Sequence, residues 1–351
     1  MCDTGRMTDT TNASDAPVRC SRVESTGLIE LTRPRALNSL NLGMVREITA
    51  ALDAWRDDDA VDQVLVVSAS PKAFCAGGDV RAAREGVLAG RDGEIEAFFA
   101  EEYAMNLAIS EYPKPYVALL DGVTMGGGLG VSAHGSHVLA TDRASASMPE
   151  MAIGFCTDVG MSRRFQQLRG GRAMGAFLAL TGFRLNAAEM AWTGLSTASL
   201  GEADADEVRR AVIAEGVDAA VRRLATEPAG ENRLVGLADQ IGAAFAAETW
   251  PEVLERLERP ANAELGERVA ELTAQASPSS LVATTLLFTA NAEAGLADAL
   301  ERERRLAAVL RARPDFVEGV RAVLVDKDRE PAFNPAEVAE VDAADFAAAL
   351  S

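Results

Sequence analysis

Lys72-Ala73-Phe74-Cys75-Ala76-Gly77-Gly78-Asp79-Val80-Arg81 and, further along, Asp121-Gly122-Val123-Thr124-Met125-Gly126-Gly127-Gly128 are the two segments on which the fold turns. Each comes after an apolar run, Val64-Leu65-Val66-Val67 before the first and Tyr116-Val117-Ala118-Leu119-Leu120 before the second. Continuous apolar runs of this kind suit strands of a sheet covered on both faces. Each segment also leads into sequence with helical character. Glycine lets the main chain approach a ligand closely and adopt torsions that other residues avoid. The N–H groups at a helix start lack partners within the helix and are free to meet negative charge. A single glycine run is ordinarily a tight turn, and a phosphate loop would need a Gly-Lys-Ser/Thr ending that neither segment has. Two such loops in the same strand context mean more: one N–H from each, converging on one carbonyl oxygen, makes an oxyanion hole.

Outward from these loops the chain alternates. Leu28-Ile29-Glu30-Leu31 reads as a strand, and Met44, Val45, Ile48, Leu52 and Trp55 recur at helical spacing until Asp57-Asp58-Asp59 ends the run. A long helical stretch is expected from Gly78 to about Glu111. Strand, helix, strand, helix, strand predicts right-handed crossovers and parallel pairing, an α/β core. Beyond about Leu200, Ala, Glu and Arg dominate, with a helix cap expected at Ser277-Pro278-Ser279 and a second break at Arg313-Pro314-Asp315. The expected organisation is a polar, disordered leader over 1–20, an α/β core over 21–215 and a helical C-terminal region over 216–351.

Composition narrows the function. With 351 residues there is room for a sizeable core, and a net charge of -19 argues against nucleic-acid binding, which needs a basic surface. An anionic ligand would therefore need a locally basic site. Cys2, Cys20, Cys75 and Cys156 show neither metal-ligand spacing nor a disulfide framework, so a reducing, cytoplasmic compartment is expected and no metal is. No apolar run approaches membrane-spanning length, and the start of the chain lacks a signal-peptide core. His134 and His137 are the only histidines, too few for a histidine zinc site, and they are assigned no role.

From Val23 to Gly194 the chain resembles the enoyl-CoA hydratase/isomerase (crotonase) superfamily, and the two glycine loops carry that resemblance. It implies the ClpP/crotonase ββα spiral, an acyl-CoA substrate and no cofactor besides the CoA of the substrate itself. It implies oxyanion donors at Ala76 and Gly127, and a bent CoA whose adenine lies near Ala73 to Ala76, with Gly77 close by. Arg35 and Lys72 become candidates for the CoA phosphates. Hydratases of the family use two glutamates. The first position is Gly130 here, so that carboxylate is missing, while the second is Glu150. Eight residues on stands Asp158, in the apolar, Gly-containing Gly154-Phe155-Cys156-Thr157-Asp158-Val159-Gly160. An acid in such a segment is costly to bury unless paired, although it also suits a helix cap. Two carboxylates facing one thioester divide the work: one attacks or activates water, the other delivers a proton.

Phe98-Phe99-Ala100-Glu101-Glu102-Tyr103, Lys114 to Leu119, Met125 to His134 and Phe316 to Asp328 are similar to the 3-hydroxyisobutyryl-CoA hydrolase branch. That branch implies hydrolysis by Glu150 and Asp158, with Glu102 against the acyl group and Gly127 against its carbonyl. Thr157 and Met161-Ser162-Arg163-Arg164 depart from the branch, which usually has Pro and a Gly-Gly-rich run there. The expected activity is thus a CoA-thioester hydrolase of valine degradation. The alternatives are a hydratase or isomerase acting through Glu150 with Asp158, and a non-catalytic acyl-CoA-binding protein. Trimer-based assembly is common in the superfamily, yet the C-terminal helices here have the length to fold over their own site.

Overall fold

In the computed structural model, which describes residues 16–351, nine strands form two sheets. They are β1 Val18–Val23, β2 Thr26–Leu31, β3 Gln63–Ser68, β4 Ala73–Cys75, β5 Tyr116–Leu120, β6 Val123–Met125, β7 His137–Ala140, β8 Ser145–Ser147 and β9 Ala198–Ser199. The larger sheet runs β1-β2-β3-β5-β7-β9 and the smaller β4-β6-β8. Only the β1–β2 hairpin is antiparallel. Successive strand pairs β3/β4, β5/β6 and β7/β8 each give one strand to each sheet before a helical segment returns the chain. This is the ββα spiral expected from the sequence.

The helices are α1 Leu42–Arg56, α2 Val80–Leu88, α3 Asp92–Ser110, α4 Gly127–Ser132, α5 Met161–Arg164, α6 Gly171–Thr181, α7 Ala187–Thr193 and α8 Ala205–Glu215. They continue as α9 Val217–Leu224, α10 Ala238–Phe245, α11 Trp250–Leu257, α12 Ala263–Thr273, α13 Pro278–Ala290, α14 Leu296–Arg311, α15 Pro314–Val320 and α16 Ala344–Leu350. Local chemistry sets several starts. The side chains of Asn41, Asp79 and Ser277 accept from Met44 N, Ala82 N and Ser280 N and cap α1, α2 and α13. The stretch expected as one helix to Glu111 is two, because the chain turns at Gly90 with φ +66.

Continuous apolar strands are explained by the two faces they serve. Val64, Val66, Ala118 and Leu120 enter the main core, whereas Leu65, Val67, Val117 and Leu119 point the other way, onto Val208, Val212, Val217 and Ala220 of α8 and α9. The expected division at 215/216 therefore falls between two helices that cover the same sheet face. The leader expected over 1–20 also needs correction: β1 starts at Val18, inside it, and residues 1–15 lie outside the described residues. Farther on, α14 packs on α3 and α5, and α15 on α2 and the 3-10 turn Glu150–Ile153. The last helices thus close over the chain's own β4-β6-β8 end.

Candidate active site

Because β4, β6 and β8 are parallel neighbours, their C-terminal ends lie side by side, about 4.8 Å apart. From those ends emerge Ala76-Gly77-Gly78, Gly126-Gly127 and Met148-Pro149-Glu150. The approach is close enough that side chains would not fit. A Cβ on Gly127 would stand 3.3 Å from Gly78 N and 2.4 Å from Glu102 Oε1, and one on Gly126 3.1 Å from Glu150 Oε1. Gly77, at φ +106, takes a torsion that favours glycine.

The N–H groups of Gly78 and Gly127 have no acceptor among the described residues. Ala76 N–H, expected as a donor to substrate, is instead bonded to Leu37 O at 3.0 Å. The pairing pattern explains the correction. Leu40 bridges Gly78 in parallel fashion, with Leu40 N donating to Gly77 O at 2.8 Å and Asp79 N to Leu40 O at 2.8 Å. In such a bridge the central residue's own N–H faces away, and for Gly78 that direction is toward Gly127. The two free N–H groups that stand side by side are therefore those of Gly78 and Gly127. Buried Asn38 holds the outer edge in place, its Nδ2 donating to Ser68 Oγ at 2.7 Å and Phe74 O at 2.9 Å.

Three buried carboxylates gather around this pair. Glu150 is 6% exposed and Glu102 1% exposed, and among the described residues neither Glu150 Oε2 nor Glu102 Oε1 has a hydrogen-bond partner. Asp158, 5% exposed, accepts a hydrogen bond from Tyr103 Oη at 2.8 Å. Burial pushes Asp158 up to about 7, against the opposing pull of the Tyr103 hydrogen bond, its own main-chain N–H and the Arg311 charge. Burial likewise holds Glu150 and Glu102 well above the usual carboxylate range, and the Asp158 charge adds to both. Such neighbours keep a proton between them near neutral pH.

Asp158 sits on a strained turn, with Val159 at φ +51 and Gly160 at φ +78. The turn is clamped from two directions. His134 Nε2 donates to Val159 O at 2.7 Å, and from α14 the carboxylate of Glu303 accepts from Gly160 N at 2.7 Å, Ser162 N at 3.1 Å and the Ser162 hydroxyl. The helix-cap reading of Asp158 is met only by its main-chain carbonyl, which accepts from Met161 N; its carboxylate is directed at Tyr103.

At Gly130 the missing glutamate has no room: even a Cβ would stand 2.8 Å from Val159 Cβ and 2.9 Å from Asn106 Nδ2. Of the CoA candidates, Arg35 and Lys72 are exposed and in no ion pair among the described residues. Ala76 is half-buried, and its carbonyl has no partner among the described residues. Ala73 is fully buried in β4 and its carbonyl accepts from Ser68 Oγ, while the carbonyl of buried Gly77 is taken by Leu40; neither has a free carbonyl to offer a ligand. Sequence reasoning missed Gly78, Tyr103, Asn106 and Glu303. Gly78 lay within the quoted glycine motif, and Tyr103 and Asn106 lie on the α3 face that also bears Phe99 and Glu102 at helical spacing; Glu303 carried no signal.

Residues 26–350 match the family model described as enoyl-CoA hydratase/isomerase. The human mitochondrial 3-hydroxyisobutyryl-CoA hydrolase is 35% identical over 351 residues, covering 97% of this chain and 90% of the relative. The Danio rerio mitochondrial 3-hydroxyisobutyryl-CoA hydrolase is 36% identical, covering 91% and 85%. Among solved structures, a carnitinyl-CoA dehydratase from Mycobacterium thermoresistibile aligns with TM-score 0.87 and 36% identity, over 95% of this chain and 96% of that one. An enoyl-CoA hydratase from Rhodobacter sphaeroides aligns with TM-score 0.85 and 34% identity, over 96% and 97%. The spiral, the paired glycine loops and these relatives agree: the chain belongs to the enoyl-CoA hydratase/isomerase family, in its 3-hydroxyisobutyryl-CoA hydrolase branch.

Proposed function

We propose that the chain hydrolyses a CoA thioester, with 3-hydroxyisobutyryl-CoA as its substrate. The N–H groups of Gly78 and Gly127 take the thioester oxygen. With the proton that Glu150 and Asp158 share placed on Asp158, the Glu150 carboxylate either attacks the carbonyl carbon, giving an acyl anhydride that water then cleaves, or removes a proton from the water that attacks the thioester directly. As the C–S bond breaks, protonated Asp158 supplies the proton that the leaving thiolate needs. One water is consumed overall, giving the free acid and the CoA thiol. Preorganised donors aimed at the developing oxyanion are each worth roughly 10²–10³ in rate.

The observation that carries this reading is the filled space at Gly130. Hydration by two glutamates needs a carboxylate there, and Val159 and Asn106 occupy the place of its first carbon. The second reading, hydration or dehydration through Glu150 with Asp158, is favoured by the names of the two solved structures. Purified protein given 3-hydroxyisobutyryl-CoA and crotonyl-CoA separates the two. Thiol release from the first, lost in Glu150→Gln, is expected. Loss of enoyl absorbance without thiol release would overturn the hydrolase reading.

For the CoA moiety, the Ala76 carbonyl is the acceptor for the adenine amino group, and Arg35 and Lys72 meet the phosphates. These two exposed cations supply the positive charge that an anionic ligand needs in a chain whose net charge is -19. A reducing compartment such as the cytoplasm is supported by the free thiols of Cys20, Cys75 and Cys156. The vertebrate relatives are mitochondrial. Among the described residues no helix is long and apolar enough to cross a membrane.

A further inference from the structure

Asn106 is fully buried, and both its Nδ2 and its Oδ1 lack any hydrogen-bond partner among the described residues. An amide left in that state costs stability, so it marks a place where a polar partner is due. Its neighbourhood says which. Asn106 stands one helical turn beyond Glu102 on the buried face of α3, and Glu102 Oε1 is likewise unpartnered. Glu102 borders Gly127, where the carbonyl of the substrate is polarised, and Asn106 borders Gly130, one turn deeper along α4. The two side chains thus follow the acyl chain inward from its carbonyl. An acyl hydroxyl offers one proton and two lone pairs. The unpartnered Glu102 Oε1 accepts the hydroxyl's hydrogen bond, and an amide N–H donates to one of its lone pairs.

We propose that Asn106 is a specificity-determining residue: its Nδ2 donates to the acyl-chain hydroxyl while that hydroxyl donates to Glu102. The assignment rests on the thioester orientation of the hydrolase reading. It also accounts for Gly130, since any side chain there would displace the Asn106 amide. A site built to bond a hydroxyl rejects the analogue without it, because its buried polar groups are then left unpaired.

The test is binding in the non-hydrolysing Glu150→Gln background, measured by calorimetry with 3-hydroxyisobutyryl-CoA and with isobutyryl-CoA, which has the same carbon skeleton and no hydroxyl. The parent is expected to prefer the hydroxylated ester by about tenfold or more. Asn106→Leu is expected to remove most of that preference while isobutyryl-CoA binds within about threefold of the parent. Asn106→Ala, which cannot overfill the space below Gly130, is expected to do the same. Equal weakening of both esters, a preference that survives both substitutions, or no preference in the parent would overturn the assignment. Thiol release by the unsubstituted enzyme is scored separately. Its absence, with hydroxyl-dependent binding through Asn106 intact, would sink the hydrolase reading and leave the recognition role standing.

Discussion

Tyr103 shows how a single side chain tunes the proposed proton donor. Its hydroxyl donates to Asp158 Oδ2 at 2.8 Å, a bond that favours the ionised form and opposes the burial that lifts Asp158 to about 7. Tyr103→Phe removes that bond without removing the ring from its contacts with Phe99. Asp158 then holds its proton to higher pH, so the alkaline fall of kcat is expected to move upward, which a pH–rate profile of both proteins measures. An unchanged or downward-shifted limb would contradict the assignment of Asp158 as the acid. The glycines predict a contrast. A Cβ on Gly127 meets Glu102 Oε1 at 2.4 Å, whereas one on Gly78 meets only the Phe98 ring at 3.3 Å. Gly127→Ala is expected to lower kcat by roughly 10² or more and Gly78→Ala by clearly less, in parallel thiol-release assays. The motif announced an oxyanion donor in the first loop, but the choice between Ala76 and Gly78 turns on which N–H the Leu37–Leu40 segment takes. That pairing joins residues far apart in sequence, and no local pattern encodes it.

At the scale of elements, α14 acts as a brace for the turn that carries Asp158. Glu303 on α14 satisfies Gly160 N, Ser162 N and the Ser162 hydroxyl, and Asn291 Nδ2 donates to the same hydroxyl at 2.8 Å. The Ser162 position is one where the sequence departs from its branch, and the hydroxyl there is what the Glu303 carboxylate binds. Glu303→Gln sets an NH2 group against main-chain N–H donors. The expected result is a loss of about 1–3 kcal/mol in stability and a fall in kcat with KM nearly unchanged, read from urea unfolding and steady-state kinetics. Ser162→Ala, which keeps the main-chain bonds, is expected to cost less on both. Periodicity and capping residues made α1, α13 and the strands β3 and β5 readable, because those signals are local. The brace was not readable: a glutamate in an Arg- and Glu-rich helix looks solvated until the fold buries it. The break between α2 and α3, by contrast, had a local signal in Gly90-Arg91-Asp92-Gly93 that the reading of one long helix passed over.

At the scale of the molecule, the C-terminal helices and the acids they cover are coupled through burial. Phe316 of α15 stacks on Phe155, which stacks on Phe99 of α3, and Gly154 and Gly319 let the two segments touch at main-chain distance. Dry surroundings hold Asp158 at about 7 and Glu303 at about 8, each pushed up mainly by burial. In the unfolded chain such carboxyls titrate near about 4. Between there and their folded values the native state keeps protons that the unfolded chain has released, so stability falls as pH rises through that window. Below about pH 4 both states are protonated and the effect is absent. The net charge of -19 grows in the same direction, so the wild-type slope alone does not isolate the site. Asp158→Asn removes one titrating group and leaves the rest. The urea midpoint of the wild-type protein is expected to drop between pH 5 and pH 8, and that of the variant to drop less. Equal drops would mean that Asp158 is solvated rather than sealed beneath α14 and α15, and the proton-donor role proposed for it would lose its physical basis.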